Sequence, residues 1–460
     1  MAENAVKKGR VGMNLTEGSI LKGLVLFAIP IFGATLIQQL YNTVDLIIIG
    51  QAVGSEGTVG VSTGGDFINM LTMFSMGFAS AGQVYVSQLV GAAQHEKVKD
   101  CIGTTLTLMM WISLVGAVIG IVLSGPFLRM MNCPEEAFSA ARDYQIITCI
   151  GAPFIFGYNA VCGLLRGMGE SKKPMLFVTI AAISNIFMDV LFVVVFKMGA
   201  AGTAYATIIA QFASFAASYI YMYRNRDKFE FDFKIKSFRL HKEALKVLLR
   251  LGIPRSLQSC LINVSLLFCS SQINSFGMVA SATNSVGNKI TRFSNIITLS
   301  IDTAAGTMIG QNLGARKPER ARQTVHMALV IALVVAAVNS LAAVLIPRQI
   351  FAIFTNDPEV IEFGVTFMHI SIITFFLASI MGPYQAMVNG CGNAALGFWM
   401  GLLDGVFLRI GISLLLTKVF DMGVLGFFYG NALARLAPCV IGAVYFYTNK
   451  WMKRKLLTEG

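Results

Sequence analysis

Two aspartates stand in apolar surroundings. Asp45 lies in LIQQLYNTVDLIIIG and Asp189 in SNIFMDVLF. An ionisable residue at the centre of a membrane-crossing helix costs about 2.5–3.5 kcal/mol on insertion scales, so it normally faces a cavity and has a role. Gln38, Tyr41 and Asp45 are spaced i, i+3 and i+7 and share one helix face, and Asn42 borders the same cavity wall. Asn185 and Asp189, at i and i+4, share a face on another helix. With the Thr207 hydroxyl they make two acids, an amide carbonyl and a hydroxyl. Such a hard-oxygen set suits a proton shared between carboxyls, or a small hard cation such as sodium held by Asp45, Asn185, Asp189 and Thr207.

The elements that position these groups follow from composition. The chain has 460 residues, of which 55% are hydrophobic and 13% charged, about half the charge of a soluble domain. Apolar runs recur near 24–49, 57–90, 101–124, 137–165, 174–196, 200–223, 247–277, 284–314, 321–346, 359–388, 394–417 and 422–447. Each is long enough to cross a hydrocarbon core of about 30 Å. The fold class expected is therefore an all-α polytopic membrane protein of about twelve transmembrane helices. Residues 1–22 are polar, so the first span is expected to start insertion itself.

A formal net charge of +12 raises nucleic-acid binding. The basic residues sit between apolar runs, however, so topology explains them better. If both tails and every second loop face the cytoplasm, those segments hold 26 Lys and Arg and the opposite loops hold five. That bias places both termini inside. The segment 224–246 is the one long polar connection and reads as a basic linker on anionic headgroups. It divides the chain into an N-terminal lobe, 1–223, and a C-terminal lobe, 247–460. The eight cysteines contain no CxxC pair and read as small core residues.

The two lobes repeat. At an offset of 224, Ile29-Pro30 falls on Ile253-Pro254, and VFKMGAAGTAY (195–205) falls on VFDMGVLGFFY (419–429) with six identities in eleven positions. At an offset of 223, the Gly-x-Gly of 167–169 falls on that of 390–392. Six spans per half make these parallel repeats, two pseudo-symmetric six-helix bundles. Substrate sites in such transporters lie near the midplane. Asp45 maps on Cys269, Asn185 on Arg409, Asp189 on Ser413 and Thr207 on Asn431. Both acids thus belong to one half only, which favours a functional site there over a general packing role. Pro30 removes one backbone bond from the first span and is expected to act as a hinge. His369, alone in an apolar span, reads as a core residue. Asp302 or Asp404 is expected to pair with Arg409 or Arg435. The 23 Met and 34 Phe residues suit a pocket that adapts to varied apolar substrates.

The Pro30 span, the YNTVDLIIIG string, Asn185-x-x-x-Asp189 and GTAYAT resemble the multidrug and toxic compound extrusion (MATE) transporters, most of all the DinF-like branch. The resemblance covers nearly the whole chain. It implies export of organic cations in exchange for protons or sodium, with Asp45, Asn185, Asp189 and Thr207 matching the ion-coupling positions. Span 247–277 has no Asp or Glu, which disfavours the seventh-helix acidic site of the NorM-like branch. The partners implied are a small cationic substrate and membrane lipids, with no nucleic acid and no cofactor beyond the coupling ion. The expected setting is a monomer in a bacterial inner membrane. A flippase or exporter of an endogenous lipid or metabolite is the nearest alternative. An intramembrane enzyme lacks support, because the chain has no HExxH, no Walker A loop and no clustered histidines; a channel would conduct without stoichiometric exchange.

Overall fold

The computed structural model describes residues 11–229 and 231–459. The basic residues Lys7, Lys8 and Arg10 of the N-terminal tail lie outside them. Twelve long helical elements account for the described chain. In the first half they are α1 (Ile20–Ala52), α2 (Gly54–Gly91), α3 (His95–Val122), α4 (Glu135–Ile150 with Ala152–Gly167), α5 (Lys172–Val195) and α6 (Gly199–Arg224). The second half contributes α7 (Lys242–Asn274), α8 (Met278–Gly314), α9 (Pro318–Leu345), α10 (Pro358–Gly390), α11 (Ala394–Lys418) and α12 (Val424–Tyr447). No strand occurs among the described residues.

Nine of these helices are long and apolar enough to span a membrane by themselves, and the α4 pair, bent by 48° at Gly151, adds a tenth. The two others, α2 and α8, are the longest at 38 and 37 residues. They are less apolar because they bury polar side chains inside their bundles: Ser75, Gln83, Ser87 and Gln88 on α2, and Thr283, Asn284, Gln311 and Asn312 on α8. The outer helices show the reverse pattern. On α9 the small residues Ala321, Ala328, Ala332 and Ala336 are buried, while Val330, Val334, Val338 and Leu341 are exposed. Small residues let helix backbones approach within a membrane, and the large apolar ones face lipid.

The chain forms two compact units. One comprises Ile29–Ser256 with the segment ending at Asn14; the other comprises Leu15–Ala28 with Leu257–Glu459. Within the first unit α2 packs on α4 and α3, and α5 on α6; within the second α10 packs on α8 and α9, and α11 on α12. The repeat is visible in the backbone itself. Left-handed conformations recur at Ala93 and Arg316, Gly169 and Gly392, Lys197 and Asp421, and Gly199 and Gly423, with φ between +53° and +90°. These pairs keep the 223–224 offset. The conformation disfavours side chains with a Cβ, so its retention at Lys197 and Asp421 marks a shared turn geometry rather than a shared residue type.

Helix α1 runs through Pro30, and α7 through Pro254. Both pass from one unit to the other close to that proline, at Ala28/Ile29 and Ser256/Leu257.

The basic connection between α6 and α7 is folded onto the first unit rather than merely solvated. Phe229 and Phe231 are buried, and Phe231, Phe233 and Phe238 pack edge to face. The Thr104 hydroxyl accepts from His241 N at 3.1 Å. His241 also lies 3.2 Å from the Asp100 carboxylate. Composition alone could not show this, because the phenylalanines are interspersed with charges.

Candidate functional site

The predicted N-lobe residues come together inside the first unit. Helix α1 carries Gln38, Tyr41, Asn42 and Asp45; α5 carries Asn185 and Asp189; α6 carries Thr207. The Asp45 and Asp189 carboxyl groups lie within hydrogen-bonding reach of each other. Asp189 is fully buried and Asn185 nearly so. Both Asp189 oxygens, Asp45 Oδ1 and Asn185 Oδ1 are buried without a hydrogen-bond donor. Such orphaned acceptors are uncommon and call for a partner. Gln38 and Asn42 are exposed, whereas Tyr41 is partly covered and its phenol is bonded to Gln38.

Tyr144 on α4 completes the group and was not singled out from the sequence. It is buried, bonds to Thr207, and faces both Asp45 and Asp189. A signal existed: at the 224 offset Tyr144 falls on Met368, so its hydroxyl is another polar group confined to the first half.

Immediately after Asp189, α5 leaves α-helical geometry for a π-helical stretch, Val190–Val195. Such stretches recur at functional sites. Among the described residues no cluster of three or more His, Cys, Asp or Glu could hold a metal. Two carboxyls with an amide oxygen and a hydroxyl instead suit a proton or a monovalent cation.

The equivalent positions of the second unit also converge, with the opposite chemistry. The Cys269 thiol lies against Ser413 and faces Arg409. Arg409 Nη1 donates to Asn431 Oδ1 at 3.3 Å, and its Nη2 to Asp404 Oδ1 at 3.2 Å. Asp404 and Arg409 are five residues apart. In an α-helix, at about 100° per residue, they would point to different sides. Leu403–Leu408 is π-helical, and the i→i+5 repeat of that geometry brings positions five apart onto one face. Of the two acids considered for this pairing, Asp404 takes it. Asp302 has a buried Oδ1 without a partner and packs against Gly382 of α10. His369 is exposed on α10, not buried; a lone polar residue in an apolar run does not reveal which side of its helix packs. Asp66 is exposed on α2.

Two helical bundles related by internal repetition, each converging on a polar centre, are the architecture of a class of polytopic membrane transporters. The MatE family model matches the chain twice, over residues 30–191 and 254–415, and the chain belongs to that family of membrane transporters. The two matches are offset by 224, the spacing read from the sequence. "Probable multidrug resistance protein YoeA" of Bacillus subtilis is 25% identical over 446 residues, covering 96% of both chains. "Probable multidrug resistance protein NorM" of Thermotoga maritima is 22% identical over 455 residues, covering 96% of this chain and 95% of its own. A solved MATE structure in the bent conformation superposes with a TM-score of 0.89 at 21% identity, over 95% of this chain and 96% of that one.

Proposed function

We propose that this chain is a secondary active efflux transporter that exports amphipathic organic cations by antiport with protons or sodium, and that the coupling ion binds at Asp45 and Asp189. The observation that carries this reading is the buried carboxyl pair. Two carboxyls in contact, with no donor aimed at either Asp189 oxygen, are stable when they share a proton or a cation. Without either, their charges repel in a poorly hydrated site. Asn185 supplies an uncommitted carbonyl oxygen, and Thr207, steadied by Tyr144, supplies a hydroxyl. The relatives named as multidrug resistance proteins support the substrate class.

Coupling requires that ion and substrate favour different states, because a ligand shifts an equilibrium only by its differential affinity. The wall formed by Gln38, Tyr41, Asn42 and the two acids offers negative charge and aromatic surface to a cationic substrate. Loading the acids with a proton or sodium removes that attraction. In this scheme Pro30 is the hinge, since it relaxes α1 fifteen residues before Asp45. The transporting halves are residues 1–223 and 247–460, joined by 224–246. The molecule functions as a monomer in the bacterial inner membrane with both termini cytoplasmic, and its coupling site is of the DinF-like kind. Proteoliposomes with independently imposed proton and sodium gradients test the scheme. Uptake of a fluorescent organic cation should follow one gradient and fail when Asp45→Asn or Asp189→Asn is introduced. Transport by both variants at the wild-type rate would overturn it.

A further inference from the structure

The second unit encloses a cavity of about 330 Å³ with an unusual charge balance. Arg292, Arg409 and Arg435 line it against a single carboxylate, Asp404. Two positive charges therefore have no counter-charge among the lining residues. Arg409 is 4% exposed, and its Nε–H has no acceptor although both terminal nitrogens are engaged. Side-chain amides, Asn263 and Asn288 among them, also line it. One wall is apolar, with Phe367 and Phe428.

This cavity is built around the repeat image of the carboxyl pair. Where the first half has Asn185, the second has Arg409; where it has Thr207, the second has Asn431. Where it has two acids, the second has Cys269 and Ser413, neither charged. The same architecture thus presents acid in one half and guanidinium in the other. An organic cation entering the second cavity would meet net positive charge. A guanidinium offers a planar fork of donors matched to carboxylate or phosphate oxygens, and the buried Arg409, with its spare Nε–H, lacks such an acceptor.

We infer that the C-lobe cavity lined by Arg292, Arg409 and Arg435 binds the anionic head, phosphate or carboxylate, of a small amphiphile whose apolar part lies against Phe367 and Phe428. The volume suits this. At about 30 Å³ per water it holds the equivalent of roughly ten waters, enough for a head group and a few carbons. The inference goes beyond the cation-export reading and does not rest on Asp45 or Asp189.

The test uses the full chain in nanodiscs of phosphatidylcholine, with hexyl phosphate as probe and hexyltrimethylammonium as its cationic counterpart. Saturable calorimetric binding of hexyl phosphate is expected. Arg435→Gln and Arg292→Gln should each weaken it about tenfold or more, with Arg435→Lys intermediate. Arg292 is exposed on its helix, so Arg292→Gln leaves a folded variant to measure whatever Arg435→Gln does. Asp404→Asn removes the competing carboxylate from Arg409 and should tighten binding, a direction that a purely structural role for the pair would not give. Repeating the titration in phosphatidylglycerol nanodiscs separates two sources of the same chemistry: competition identifies a lipid head group, and undiminished binding identifies a soluble organic anion. Equal affinity of wild type and the Arg292→Gln/Arg435→Gln double variant would overturn the proposal, as would hexyltrimethylammonium binding that Asp404→Asn abolishes. Loss of anion binding with gradient-driven cation export intact counts against this inference alone. Anion binding in a chain whose export ignores Asp45 and Asp189 counts against the coupling scheme alone.

Discussion

Arg409 reaches Asp404 across five residues of one helix, through a π-helical turn, with both side chains buried. Removing one partner of a buried ion pair leaves an uncompensated charge and costs about 3–5 kcal/mol, whereas replacing both by apolar residues is often close to neutral. Asp404→Leu and Arg409→Met should therefore each lower thermal stability strongly in detergent, and the double variant should recover most of the loss. A double variant as unstable as the sum of the two would show that the pair is not the source of the penalty. Deleting Val406 leaves the two residues four apart, a spacing that an ordinary α-helical turn brings onto one face, so the pair should survive and the loss should be smaller than in either single variant.

Gly382 and Asp302 form a second close relationship. A β-carbon on Gly382 would run into the Asp302 carboxylate. Overpacking of this kind costs roughly 1–3 kcal/mol. Gly382→Ala should thus destabilise the protein, and Asp302→Ala added to it should restore stability by vacating the space. Failure of the second change to rescue the first, in paired thermal melts, would refute the contact.

Asp189→Asn and Asp45→Asn should each abolish gradient-driven export at near-normal expression. Ser413→Ala, at the repeat position of Asp189, should leave export within about twofold, since its hydroxyl is uncharged and lies outside the carboxyl pair. Tyr144→Phe deletes one hydrogen bond to Thr207, worth about 1 kcal/mol, and should slow export about fivefold without abolishing it. The comparison is made by initial rates in proteoliposomes. Equal loss in all four variants would point to a structural collapse rather than a coupling site.

Pro30→Ala restores a backbone donor to α1 and should stiffen it. Drug affinity should survive while turnover falls, both measured on the same purified variant. Wild-type turnover in that variant would remove the hinge from the mechanism and leave the carboxyl pair untouched.

In the linker, the Ser237 hydroxyl and the Lys234 backbone N–H both donate to Asp232 and hold its carboxyl below the usual carboxylate range. A carboxyl with a lowered folded value contributes its stabilisation above the ordinary range, near pH 4, and loses it as pH falls through the lowered value. Hydrogen-exchange protection of residues 231–238 should therefore be flat from pH 5 to 8 once corrected for intrinsic exchange, and decline only below about pH 4. Asp232→Asn should reduce that protection without changing the pH 5–8 profile. A loss of protection between pH 6 and 7 would refute the assignment to Asp232.

Hydropathy and repetition made most of the architecture legible. Twelve apolar runs, a proline at the same place in each first span and a constant offset are long-range patterns that survive extensive substitution. The acids were legible because charge in an apolar run is conspicuous. Tyr144 was not, because an aromatic residue in such a run looks like ordinary packing until its neighbours are known. The Asp404–Arg409 pair was legible only as one of four combinations of two acids with two arginines: helical spacing at 3.6 residues per turn does not single it out, and a π-turn changes which positions align. The side on which His369 sits was likewise invisible, because α10 is apolar nearly all round.

The way each half begins has a consequence for dividing the molecule. Leu15–Ala28 belongs to the unit otherwise formed by Leu257–Glu459, and the residues from Lys242 to Ser256 belong to the unit formed by the first half. Asn312 and Lys317 hold the carbonyls of Leu15 and Thr16, while Ser256 donates to the carbonyl of Phe74. The halves are thus reciprocal donors, in the manner of a domain swap contained within one chain. A protease cut in the linker would not release two independent bundles. Each fragment would carry a piece of its neighbour and lack a piece of itself, so the two would be obliged to complement one another, and neither would complete its fold when produced alone.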